Sequence, residues 1–167
     1  MAAARVGLGF DSHPLVEGRT LILGGVRIEH DRGLHGHSDA DVLAHALTDA
    51  LLGAAGLGDI GQHFPSSDPA FKDADSMELL RHAMDMLEGR QLRLGNADAT
   101  LYADAPRLGP YRDAMIQSLA MKLRVEPDKL NLKFKTLEGL PLGSAEGTAV
   151  IAAHVIVALE AEARCCV

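Results

Sequence analysis

In HSDADVLAHALTDALLGAA (residues 37–55), the apolar positions Val42, Leu43, Ala46, Leu47, Ala50 and Leu51 recur at helical spacing. Ser38 followed three residues later by Asp41 resembles an N-terminal capping pair, so the pattern predicts a helix at roughly 39–55. Upstream, LILGGVRIE (21–29) sets Gly24 and Gly25 between two short β-prone runs, a hairpin signal. The first apolar segment, 5–10, opens an extended strand in RVGLGFDSHPL. Downstream, GLGDIGQHFPSSDPAFKDAD (56–75) is rich in Gly, Pro, Ser and Asp and predicts a long loop, of the kind that is usually functional in a compact domain. A second helix opens near Asp75, with Glu78 three residues on, and runs to about Glu88, where Gly89 stops it. NADATLYAD (96–104) reads as a strand. Pro110 suits the first turn of a third helix carrying Tyr111, Met115, Leu119 and Leu123 on one face. LNLKFKT (130–136) alternates as a strand does, and 148–159 is rich in β-branched residues, reading as a strand though ambiguous with a helix. Strands interleaved with two or three helices indicate an α+β or α/β domain; the expectation is a single α+β domain over 1–167, mostly one mixed β-sheet with helices packed on one face.

The polar residues within this frame point to a metal. Asp11 and His13 are two apart in an extended strand and share a face; Asp41 and His45 are four apart on a helix and share one as well. One carboxylate and two imidazoles suit zinc, with a fourth position left for substrate or water. Spacing alone does not choose between Asp11 and Asp41 as the carboxylate. The plainer alternative is a surface Asp–His pair and an unrelated helical His.

Composition narrows the classes. The formal net charge of −7, with no Lys/Arg cluster longer than a pair, sets a phosphate backbone against mostly repulsion, so nucleic acid is not an expected partner. Only 4% of residues are aromatic and none is Trp, which leaves little for base stacking and predicts a core of Ala, Leu and Val. The longest apolar stretch, AVIAAHVIVAL (149–159), is interrupted by His154 and falls short of a bilayer span, so no membrane is expected. The start MAAARVGLGF lacks a secretory pattern, and the adjacent Cys165 and Cys166 make a poor disulfide framework. A cytoplasmic location is expected.

GFDSHPL, GGVRI, HSDADVLAHALTDALLGAAGLGDIG, FPSSDP, DADS, DAPR and KFKTLEGL occur in this order along nearly the whole chain. In them the chain resembles the 2-C-methyl-D-erythritol 2,4-cyclodiphosphate synthase family of the non-mevalonate isoprenoid pathway, most specifically over the 29 residues from Gly33 to Gly61. The resemblance implies a metal-dependent phosphorus–oxygen lyase acting on 4-diphosphocytidyl-2-C-methyl-D-erythritol 2-phosphate. It implies a homotrimer with active sites between subunits. Asp11, His13 and His45 would hold Zn2+ or a similar divalent ion, and Asp41 would start the helix or sit behind a ligand. Glu138 would reach Mg2+ or Mn2+ on the substrate diphosphate. His37 and Thr136 would stabilise the transition state, and His37 and Ser38 would hold the diphosphate at a helix N-terminus. Ala103, Asp104, Ala105, Pro106, Arg107, Leu108 and Gly109 would form the cytosine pocket, with Lys135, Thr136 and Leu137 near the nucleotide. Ser12, Asp59, Ile60, Gly61, Phe64, Pro65, Ser66, Ser67 and Asp68 would complete the substrate contacts. Without the family, Asp59 and Asp68 read as turn residues and Arg107 as a charged loop residue.

Three departures from the family pattern stand out. Ser66 replaces a common acidic residue, Lys135 and Leu137 flank Thr136 where Thr is common, and LPLGSAEG (140–147) lacks an Arg that in many trimers lines a central cavity. Binding of an isoprenoid diphosphate at a three-fold axis in the usual way is therefore not expected. Competing readings are a zinc-dependent phosphodiesterase or pyrophosphatase, in which water attacks a polarised diphosphate, and a non-catalytic metal- or nucleotide-binding module. His30, His35, His63, His82 and His154 have no partner spacing that implies a role.

Overall fold

The computed structural model describes residues 5–138 and 148–161; the LPLGSAEG departure and the two cysteines lie outside them. Strand β1 (Arg5–Glu17) runs far beyond the expected apolar segment, because it changes partner along its length. From Arg5 to Pro14 it pairs antiparallel with β7 (Val150–Ala161), and from Leu15 to Glu17 with β4 (Arg32–Leu34). The polar run Asp11–Ser12–His13 breaks the apolar pattern but not the backbone ladder. The main sheet has the order β4-β1-β7-β5-β6, with β5 (Leu92–Tyr102) and β6 (Leu130–Lys135) forming its parallel pair. Pairing on both edges holds β7 extended, which resolves the helix-or-strand ambiguity at 148–159. A separate hairpin joins β2 (Leu21–Leu23) to β3 (Val26–Ile28); Gly24 and Gly25 both take positive φ, as its two-residue turn requires.

Helices cover one face of the main sheet. α1 (Val42–Ala55) crosses β1 and β7 with eleven of its fourteen residues buried, because α3 (Ser76–Glu88) closes over its other side. α1 approaches β1 closely over Gly7 and Gly9, where a methyl group would lie 1.9 Å from the Ala50 and Ala46 carbonyl oxygens. The loop predicted at 56–75 contains a one-turn helix α2 (Ile60–His63) and a 3-10 turn. The third helix starts after a 3-10 turn at Gly109–Tyr111, as α4 (Arg112–Leu123), and supplies the crossover between β5 and β6. No helix among the described residues is long and apolar enough to cross a membrane. The opposite face of the sheet presents Val6, Leu8, Phe10 and Ile156, each at least 47% exposed.

The start of α1 differs from expectation. Asp41, not Ser38, is the N-cap, and the helix begins at Val42. The buried Asp41 carboxylate accepts from Leu43 and Ala44 N–H, and from Gly24 and Gly25 N–H of the hairpin turn, at 2.7–3.1 Å. One side chain thus fixes the hairpin to the helix. Burial pushes its pKa up to about 6 against those four donors, so it remains ionised at neutral pH. Asp41→Asn keeps one acceptor oxygen but turns an NH2 towards a backbone donor. The expected loss is about 1–2 kcal/mol in urea unfolding at pH 7.5, a buried donor left unpaired; an unchanged midpoint would contradict this role.

Candidate metal centre and its cavity

β1 and α1 deliver three ligand atoms to one point. Asp11 and His13 lie on the helix-facing side of β1, in the same alternation as Gly7 and Gly9, and His45 lies one turn into α1. The Asp11 Oδ2 is 3.0 Å from His13 Nε2 and 2.9 Å from His45 Nδ1, and the two ring nitrogens are 3.3 Å apart. Among the described residues these three form the group able to hold a metal ion. A triangle of that size accommodates an ion roughly 2.0–2.2 Å from each corner, with an open position outward, the donor set of a catalytic divalent centre. Asp41 points away into the hairpin turn, so the carboxylate of the set is Asp11.

The charges in this cluster support each other. Burial alone would push the Asp11 carboxyl up, but hydrogen bonds and charge from His13 and His45 outweigh it and hold it well below the usual carboxylate range. Burial likewise pulls His45 down, and the hydrogen bond and charge of Asp11 more than reverse this, raising it. In metal-free protein the Asp11 contribution is present above its unfolded value of 3.8 and lost as pH falls through its lowered folded value. The His45 contribution is full below its unfolded value of 6.5 and lost as pH rises through its raised one. With a chelator present, the stability advantage of the chain over Asp11→Asn is therefore expected to peak at about pH 4–6.5 and shrink towards pH 9. Urea titrations across that range measure it, and a flat difference would contradict the pairing.

The ligands open into a cavity of about 310 Å3 that also takes in His37, Ser38, Ile60, Gly61, Phe64 and Ser66. Its wall is partly apolar, from Phe64, Phe71 and Leu79. The loop before α1 is strapped in place: Arg19 donates to the Gly36 carbonyl at 3.0 Å and the Ser38 carbonyl at 2.5 Å, and Asp73 N–H donates to the His37 carbonyl. His37 Nε2 is 3.3 Å from the Asp68 carbonyl in the turn 65–68, which contains Pro65, Ser66 and Ser67. Ser12 N–H donates to Asp11 Oδ1. Asp59 caps α2 and accepts from the Gln62 backbone and side-chain amides. The expected anion site at the α1 N-terminus is corrected in part: the Leu43 and Ala44 N–H groups are already taken by Asp41.

Asp49 was not singled out in the sequence. It lines the cavity and accepts the Ile60 N–H at 3.1 Å, tying α2 to α1. It stands four residues after His45 on the same helical face, a spacing that identifies it once His45 is accepted.

A second cavity of about 570 Å3 gathers Ala103, Asp104, Pro106, Arg107, Leu108 and Gly109 with Phe134, Lys135 and Thr136. The Ala105–Pro106 peptide bond is cis. Asp104 accepts the Leu137 N–H at 2.7 Å, and Thr136 donates to Glu138 Oε1 at 2.7 Å, so the 136–138 turn is bound to this loop. Within one chain the two groups of expected site residues are apart. β1 and β6 are separated by β7 and β5, three strand spacings or roughly 14 Å. Thr136 and Glu138 accordingly lie outside the set lining the metal cavity.

Comparison with known proteins identifies the family. The YgbB family model matches residues 4–159. The 2-C-methyl-D-erythritol 2,4-cyclodiphosphate synthase of Bordetella avium is 57% identical over 160 residues, 95% of this chain and 97% of that one. The enzyme of the same name from Moorella thermoacetica is 54% identical over 159 residues. Among solved structures, a 2C-methyl-D-erythritol-2,4-cyclodiphosphate synthase in a CDP-bound form superposes with a TM-score of 0.85 at 44% identity, covering 93% of this chain and 100% of the other. The bifunctional IspDF of Campylobacter jejuni gives 0.89 at 42% identity, covering 95% of this chain and 42% of that longer chain. With the family model spanning nearly its whole length and relatives of this identity end to end, the chain belongs to the YgbB family.

Proposed function

We propose that the chain, as one cyclodiphosphate-synthase-like domain over 1–167, converts 4-diphosphocytidyl-2-C-methyl-D-erythritol 2-phosphate to 2-C-methyl-D-erythritol 2,4-cyclodiphosphate and CMP. An oxygen of the 2-phosphate forms a bond to the β-phosphorus, the bond from that phosphorus to the bridging oxygen breaks, and CMP leaves with the electron pair. The observation that carries this reading is the Asp11–His13–His45 triangle opening into a cavity lined by His37 and Ser38 together with the apolar Phe64, Phe71 and Leu79. Such a cavity suits a phosphorylated, methyl-bearing polyol.

A divalent ion at the triangle, zinc in this reading, would supply Lewis-acid polarisation of a phosphate oxygen, and Mg2+ or Mn2+ would accompany the diphosphate near Glu138. The chain itself does the positioning that phosphoryl transfer chiefly needs. His37 and Ser38, on a loop held by Arg19 and Asp73, donate to the diphosphate. Thr136, which donates to Glu138 in the substrate-free chain, would turn its hydroxyl to the charge that develops around phosphorus, a donor role whose loss typically costs about 10²-fold or more in rate. The 103–109 loop holds the cytosine mainly through backbone groups, with Arg107 and Lys135 adding positive charge. Asp59 accepts polyol hydroxyls, and Ser66 makes a neutral contact where relatives have an acid.

The reading includes a homotrimer with active sites between subunits, and two observations support it. The outer sheet face exposes Val6, Leu8, Phe10 and Ile156 side by side on paired strands, apolar surface of the kind a partner covers. The two cavities of one chain are also separated along the sheet, so a second copy can bring a nucleotide half-site to a metal half-site. We place the enzyme in the cytoplasm. The test is phosphorus NMR of the protein with the substrate and Mg2+, with and without a zinc chelator. Cyclic diphosphate plus CMP, lost on chelation, is expected. Linear phosphate products would make the chain a hydrolase, and unchanged substrate with bound metal would make it a binding module; sedimentation tests the trimer.

A further inference from the structure

We infer that Ser76 and Asp39 form a positioning relay that fixes the His45 imidazole for metal binding, an assignment that rests on the metal-centre reading above. His45 presents Nδ1 to Asp11 and His13. Its other nitrogen, Nε2, points back into the protein and meets Ser76 Oγ at 2.8 Å and Ser38 Oγ at 3.1 Å. A ring that gives its Nδ1 lone pair to a cation must carry its proton on Nε2, and that N–H needs a buried acceptor. Ser76 is fully buried and is committed to accepting. Its hydroxyl donates to Asp39 Oδ1, while its own backbone N–H reaches Asp39 Oδ2 at 3.2 Å. With its hydrogen held by a carboxylate, Ser76 Oγ turns a lone pair to His45. The chain Asp39–Ser76–His45 thus selects one tautomer and one ring angle, and passes part of the Asp39 charge towards the ligand.

Ser38 is the weaker candidate for this task, since its Oγ is farther from Nε2 and already accepts the Ala40 N–H at 3.1 Å. Asp39 is in turn fixed by its backbone N–H to the Ala74 carbonyl. The relay joins the loop before α1 to the first residue of α3, two segments brought together only by the fold. A purely structural role, docking α3 on that loop, rests on the Ser76 backbone N–H and survives removal of the hydroxyl.

The experiment is competition for zinc against a chromogenic chelator, using purified full-length chain and Ser76→Ala, Ser76→Thr and Asp39→Asn variants. Urea unfolding of each metal-free protein is run alongside. Zinc affinity is expected to fall about 10-fold or more in Ser76→Ala, within the 10–100-fold range for residues that orient a ligand. Ser76→Thr, which keeps the hydroxyl, is expected to recover most of that loss. Asp39→Asn, nearly identical in shape, is expected to weaken binding several-fold and serves if Ser76→Ala does not fold. Cobalt-loaded protein should show a shifted visible spectrum in Ser76→Ala. Zinc bound by Ser76→Ala and Asp39→Asn as tightly as by the parent would overturn the relay alone. A parent chain that does not hold zinc would overturn the metal-centre reading and the relay with it.

Discussion

Asp11→Asn is expected to strip the protein of its divalent ion and to lower turnover of the proposed substrate by at least about 10²–10³-fold. The substitution removes almost nothing but charge. Asparagine has the same shape and can still accept the Ser12 N–H, but it contributes no anion to a triangle whose other two corners are imidazoles. It also takes away the group that raises the His45 pKa. The loss should therefore exceed the roughly 10–100-fold typical of residues standing behind a ligand. Metal content after dialysis and phosphorus NMR of the reaction are the readouts. Asp41→Asn is the matched control, because Asp41 shares a helical face with His45 in the sequence but is spent on the hairpin turn in the fold. That variant should keep its metal while losing stability. Zinc retained by Asp11→Asn and lost from Asp41→Asn would reverse the assignment.

Gly9→Ala is expected to destabilise the protein by about 3 kcal/mol or more, at or beyond the upper end for overpacked cores. The added methyl would meet the Ala46 carbonyl oxygen at 1.9 Å and the Ala50 nitrogen at 2.9 Å. Both belong to the backbone of the most buried helix, which cannot swing aside as a flexible side chain would. For a chain of this size that loss corresponds to about 6–12 °C in Tm. Because Gly9 is two residues before Asp11 on the same face of β1, any separation of strand and helix also spreads the metal triangle. Gly53→Ala provides the contrast: it lies in the same helix with nothing within 4 Å of its added methyl, so alanine is expected to stabilise by up to about 1 kcal/mol. Thermal unfolding of both variants decides the matter, and a Gly9→Ala Tm no lower than that of the parent would show that the strand–helix contact yields to the methyl without cost.

The elements whose signals are local were legible in the sequence. The apolar spacing of 42–51 reports a helix because a face must be buried every 3.6 residues. Gly24-Gly25 reports its hairpin because only glycine takes two successive positive φ values without cost. Asp-x-His on a strand reports a chelating pair because alternation places both side chains on one face. The sequence misjudged what depends on partners. β1 extends to Glu17 because β7 and then β4 are there to pair with it. Ser38 resembles a cap in sequence, yet the fold gives that task to Asp41 and turns the Ser38 hydroxyl towards His45.

By itself, then, the sequence determined the α+β class and the residue types of a metal centre, since periodicity, turn chemistry and ligand spacing act over a few neighbouring residues, and it identified the family through motifs shared along nearly the whole chain. Only the tertiary structure decided which aspartate faces the imidazoles, that Ser76 and Asp39 stand behind His45, and that Thr136 lines a separate cavity with Glu138 hydrogen-bonded to it. These depend on where segments 30 or more residues apart are laid side by side, and on which buried donors claim each carboxylate first. Spacing along the chain carries no record of either.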